Sequence, residues 1–170
     1  MIRSISLAVL LSGCASTPQP AAPLPAPVAA APTRNWVEHI RSQAAQSDSL
    51  IEVLPLADPA VADLSAQARS AEAVRAWDQV DSYLAAALDI SPRDPELWQW
   101  RAEVALARQS WAEAEHHARR SARLGPRLGA LCVRNWLTLM AAASESGDAS
   151  AAEQARERAA RCPVPKPVRL

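Results

Sequence analysis

Three cysteines and three histidines are the residues of widest chemical repertoire in this 170-residue chain. Cys14 closes the run Leu11-Ser12-Gly13-Cys14, behind an apolar stretch from Ile5 to Leu11 and a basic Arg3. A positive start, an apolar stretch and small residues before a cut are the parts of an export signal. A cysteine at the cut sets this one apart. His116 and His117 are adjacent, so their side chains point about 100° apart and cannot chelate one ion as an i, i+4 pair does. Glu113 and His117 have that spacing, yet two ligands do not make a metal site, and the pattern reads as a solvated helix face. His39 is isolated. No Gly-rich phosphate loop, nucleophile elbow or HExxH motif is present. The sequence therefore predicts no catalytic residue, no metal and no cofactor.

The run ending at Cys14 resembles the lipobox of bacterial lipoproteins. The resemblance implies cleavage after residue 13, with Cys14 as the new N-terminus carrying acyl chains such as palmitate. Each buried acyl methylene contributes roughly 0.8 kcal/mol, so several chains on one residue hold stably. In that family an aspartate just after the cysteine often retains the protein in the inner membrane. Here the position is Ala15, so the resemblance points to an outer-membrane lipoprotein facing the periplasm. The apolar stretch is too short for a transmembrane helix, which takes about 20 apolar residues.

Residues 15–33 read ASTPQPAAPLPAPVAAAPT. Proline fixes φ and biases the residue before it toward extended geometry, so this stretch reads as a semi-rigid spacer. The organisation expected is a signal over 1–13, a lipidated cysteine and linker over 14–34, a helical extension over 35–59, a helical domain over 60–162 and an irregular tail over 163–170. About 130 residues outside tether and tail suffice for one domain with a real core.

The 18 basic and 18 acidic residues cancel, and losing Arg3 with the signal leaves a net charge near minus one. Nucleic-acid binding needs a basic face, which this balance does not provide. Alanine is abundant, glycines number four, and there is no phenylalanine. This composition favours packed helices over a sheet.

Trp77 and Trp111 lie 34 positions apart, as do Pro92 and Pro126. Ala76-Trp77-Asp78 matches Ser110-Trp111-Ala112, and Ser91-Pro92 matches Gly125-Pro126. A 34-residue helix–turn–helix period resembles tetratricopeptide repeats. The implied fold is all-α, a short right-handed solenoid of about three helical hairpins. The first unit is expected as helices over 60–75 and 77–90. The second starts at the cap Asp94 with Pro95 behind it, runs to about Arg108, turns at Gln109-Ser110, and continues over 111–124. The third is out of phase. Gly147-Asp148 marks its turn, but its first helix starts near residues 128–131, about one turn early; its second covers 150–161. Asn35 and Glu38 form a capping-box-like pair ahead of a helix over 36–47 whose Trp36, Ile40 and Ala44 share a face. That segment is expected to cover the open face of the first repeat; pairing with a separate partner protein is the alternative.

Cys132 and Cys162 fall at the same end of the third hairpin. In the oxidising periplasm a disulfide between them is expected; two buried thiols, or a metal pair lacking its other ligands, are the alternatives. The family lines its concave surface with the first helix of each unit. That register carries Arg69 and Glu72, Gln99 and Glu103, and Arg134 and Leu137 onto a groove for a protein or peptide of the envelope. The function implied is a membrane-anchored interaction scaffold and not an enzyme. A pilotin-like assembly factor for a pilus or secretion complex, and a subunit of a cell-wall enzyme, are the other readings.

Overall fold

In the computed structural model, residues 34–46 and 58–163 are described. Cys14, the Ala/Pro-rich stretch, residues 47–57 and residues 164–170 of the tail lie outside them. The described residues form seven helices and no strand: α1 (Trp36–Ala45), α2 (Pro59–Ala73), α3 (Trp77–Ile90), α4 (Pro95–Ala107), α5 (Trp111–Leu124), α6 (Ala130–Glu145) and α7 (Ala149–Ala160). None is long and apolar enough to cross a membrane.

Local chemistry sets the starts. Asp58 accepts from the Ala60 amide at 2.8 Å, Asp94 from Glu96 at 2.8 Å, and Asp148 from Ala151 at 2.9 Å. Each satisfies an amide that the first helical turn leaves without a partner. Pro59 and Pro95 occupy first-turn positions, where the missing N–H costs nothing. At α1, Asn35 accepts from the Glu38 amide and its own amide group donates to the Glu38 carboxylate at 3.0 Å.

Three hairpins follow: α2 with α3, α4 with α5, and α6 with α7, each stacked on the next. Their internal turns share one geometry. The amides of Ala76, Ser110 and Asp148 bond back to the carbonyls of Ala71, Ala105 and Ala143 at 2.8–2.9 Å, the helix-ending pattern that needs a left-handed residue just before. Those residues are Arg75 (φ 58°), Gln109 (φ 60°) and Gly147 (φ 80°). The first two lie 34 positions apart. The third lies four further on than that spacing gives, and α6 has 16 residues against 13 in α4. The third hairpin thus carries an additional turn, as its phase in the sequence predicts.

Small side chains let the layers approach. Ala68, Ala87, Ala102, Ala114 and Ala118 are fully buried, with Val80, Leu84 and Leu139 filling between them. A Cβ on Gly125 would meet Leu131 Cδ2 at 3.1 Å and Pro95 Cβ at 3.2 Å, where three helix ends converge. Cys132 and Cys162 form a disulfide with Cα atoms 5.6 Å apart, and the Gly129 amide donates to the Cys162 carbonyl at 2.7 Å beside it. Closing a loop of this length contributes roughly 3 kcal/mol in the chain-entropy account.

One expectation is corrected. α1 does not cap the first repeat. It packs on α6 and α4 and makes no comparable contact with α2. Its apolar face finds the surface between those two helices, where Leu106, Ala141 and Ala142 are available, in place of the face of α2.

The shared turns yield a test. A left-handed residue other than glycine costs roughly 1 kcal/mol. Gln109→Gly should raise the free energy of urea unfolding by about 0.5–1 kcal/mol. Gly147→Ala, where nothing crowds the new Cβ, should lower it by about 1 kcal/mol.

Candidate functional site

The site is built around a buried carboxylate. Glu103, in the middle of α4, is 1% exposed. One oxygen accepts from Arg134 Nε at 2.7 Å and from Gln99 Nε2 at 3.1 Å. The other accepts from Arg41 Nε at 2.7 Å. The guanidinium groups come from α6 and α1, so this one carboxylate ties three helices. Each guanidinium reaches a second acid: Arg41 to Glu72 of α2 at 2.9 Å, and Arg134 to Glu96 of α4 at 2.7 Å. The Trp100 indole donates to Glu72 at 3.0 Å, and Gln99 donates to Thr138 of α6 at 2.8 Å. Burial alone would push the Glu103 carboxyl upward. Arg134 and Arg41, with the hydrogen bonds from Arg134 and Gln99, outweigh it and hold the group below the ordinary glutamate range.

α1 lies over this network. Trp36, Ile40 and Ala44 occur at i, i+4 and i+8, on one helical face, and all three are buried. Trp36 and Ile40 pack with Leu106 of α4 and Ala141 and Ala142 of α6. Ala44 packs with Val133 and the Cys132–Cys162 pair. The Trp36 indole donates to Glu145 at the end of α6 at 2.8 Å.

Beside α1 a cleft of about 540 Å³ remains open, lined by Arg41, Val61, Arg69, Glu72, Glu96, Leu97, Trp100 and Arg134. Its walls are apolar patches interrupted by charges. Most of those charges are paired; Arg69 has no ion-pair partner among the described residues.

Of the six groove residues expected from sequence, Arg69, Glu72 and Arg134 line this cleft. Gln99 and Glu103 do not lie on an open surface. Both are buried, because α1 and α6 close over the face of α4 that carries them. Leu137 packs into the clusters beneath α1. Arg41 and Trp36 were not assigned to the groove from sequence. The signal was present: Arg41 directly follows the core position Ile40, next to the buried face of a short amphipathic helix.

A second cluster lies between α4 and α5. His117 of α5 stacks near Trp98 with ring centroids 5.5 Å apart, and its Nδ1 is buried without a hydrogen-bond partner. No group of three potential metal ligands exists among the described residues.

Stacked helical hairpins with an embedded ion network and an adjoining open cleft make this an all-α helical-repeat domain. No family model matches the sequence, and no curated protein matches it. The fold is similar to the globular C-terminal domain of P. aeruginosa LpoP, with a TM-score of 0.56 and 28% identity over 61% of this chain and 97% of that one.

Burial, with Arg101 and His116 nearby, lowers the His117 imidazole from 6.5 to about 4. The unfolded chain therefore binds a proton there that the folded chain refuses. Stability from this group is complete above pH 6.5 and is lost as pH falls toward 4. Glu103 adds a further loss below the ordinary glutamate range, as pH approaches its depressed folded value. Urea midpoints measured from pH 7 to 3 should decline across both regions, and His117→Gln should flatten the upper one only.

Proposed function

We propose that this chain is a membrane-anchored interaction scaffold of the bacterial envelope, with tetratricopeptide-like hairpins that bind a protein or peptide. The observation that carries this reading is the open cleft beside α1. It joins the apolar faces of Val61, Leu97 and Trp100 to an Arg69 guanidinium that has no ion-pair partner among the described residues. Such a surface suits a polypeptide that offers an acidic side chain between apolar ones, since complementary charge fixes register while apolar contact supplies affinity. The ionised groups around it neutralise one another, an arrangement suited to holding helices and not to moving protons.

The anchor is the Leu11-Ser12-Gly13-Cys14 run, with Cys14 lipidated and Ala15 directing the protein to the outer membrane, the domain facing the periplasm. The Ala/Pro-rich residues that follow act as a spacer from the bilayer. The neighbouring fold is the globular C-terminal domain of its protein, which supports a domain placed after a leader.

Labelling cells with a fatty-acid probe tests the anchor: wild type should take the label and Cys14→Ala should not. Crosslinked pull-down from intact cells tests the cleft. Arg69→Glu should reduce recovery of the main partner at least tenfold. Equal recovery by wild type and Arg69→Glu removes the cleft as the binding surface.

A further inference from the structure

α1 is bound to the repeats as a ligand would be. Every other helix packs on its neighbour in sequence, whereas α1 seats on α4 and α6 and meets α2 through the Arg41–Glu72 ion pair. Its contacts are three apolar anchors, one indole hydrogen bond and one guanidinium. Ten residues are too few for a helix to hold in water unaided, so α1 persists only while docked. Eleven residues, 47–57, separate it in sequence from the described start of the repeats.

The seat is not simply apolar. Glu103 has two oxygens to satisfy. Arg134 and Gln99 serve the first, and Arg41 alone serves the second. Without α1, that oxygen loses its cation and its cover from water; any helix seated in its place buries the carboxylate again. A group so buried requires a charged partner in a fixed place. The groove thereby specifies what it accepts: a large aromatic, an aliphatic side chain four positions on, an arginine next to it, and a small residue three beyond. In α1 these are Trp36, Ile40, Arg41 and Ala44.

We infer that the α4–α6 groove is a helix-receiving site which α1 fills in cis, and that the partner it fits is a short amphipathic helix of another polypeptide carrying this pattern. The inference rests on the reading of the chain as a polypeptide-binding scaffold and supplies the partner's chemistry. Helix-in-groove recognition reads i, i+4 anchors in just this way. Engagement then exchanges one helix for another, and the affinity observed is reduced by the fraction of molecules in which α1 is docked.

The probe is a fluorescein-labelled peptide of residues 34–46, titrated against the full chain and against a Trp36→Ala Ile40→Ala variant whose own α1 lacks its anchors. The peptide should bind the variant at least tenfold more tightly than wild type. A peptide with Arg41→Ala should lose at least tenfold of that affinity. Absence of peptide binding by a variant that still melts cooperatively overturns the inference, as does equal binding to both chains. Hydrogen exchange on wild type stands independently of the variant's folding. α1 amides should exchange at least tenfold faster than those of α4 and α6; exchange at the α4 rate would mean that α1 leaves only on global unfolding, and would also overturn it. A dimer by light scattering with α1 exchanged between copies would assign the groove to self-association instead. These readouts are separate from the Arg69→Glu pull-down, which reports on the cleft, so each claim can fail without the other.

Discussion

A carboxylate taken out of water must be compensated where it stands, and Glu103 imposes that constraint on half the domain. Its position midway along α4 dictates that α6 bring Arg134 and that α1 bring Arg41. Those two cations then orient Glu96 and Glu72, and Glu72 fixes the indole of Trp100. An apolar residue at 103 would pack as well and leave the three helices less definitely registered. The network is therefore read best as a device for specificity: it contributes little net stability relative to a hydrophobic substitute, yet breaking it from one side strands a buried charge.

The disulfide works at the other end of the same assembly. It closes the third hairpin where Ala44 of α1 rests on Val133. Among the described residues no hairpin follows the third, and the outermost layer of a stacked array is the part most prone to fray. A covalent link there stiffens the surface that receives α1.

How far the sequence revealed this depends on the range of the interaction concerned. Helix positions came from local signals: the Asp94 cap with Pro95, the Asn35–Glu38 pair, the Gly147-Asp148 turn, and the matching tryptophans at 77 and 111. The repeat offset at Gly147 was legible for the same reason, because a turn residue and a helix start disagree by one turn. The Cys132–Cys162 pairing followed from hairpin topology. What stayed hidden was long-range. The path of α1 depends on which of several exposed faces best matches Trp36, Ile40 and Arg41, and no periodicity encodes that choice. Gln99 and Glu103 were expected on a surface because the register of paired helices places them there. The seating of α1 and α6 over that face makes them interior.

The lengthened α6 has a consequence for how such an array can change. An insertion of four residues is close to one full helical revolution, so inner side chains keep their bearing while the tip moves outward by roughly 6 Å. Residues on that overhang, Glu145 with Ala141 and Ala142 just below, are the ones that hold Trp36. The overhang serves as a ledge on which α1 rests. Stacked hairpins can thus acquire new surface in whole-revolution steps, where insertions of two residues would turn the packing face away from its neighbours and be lost.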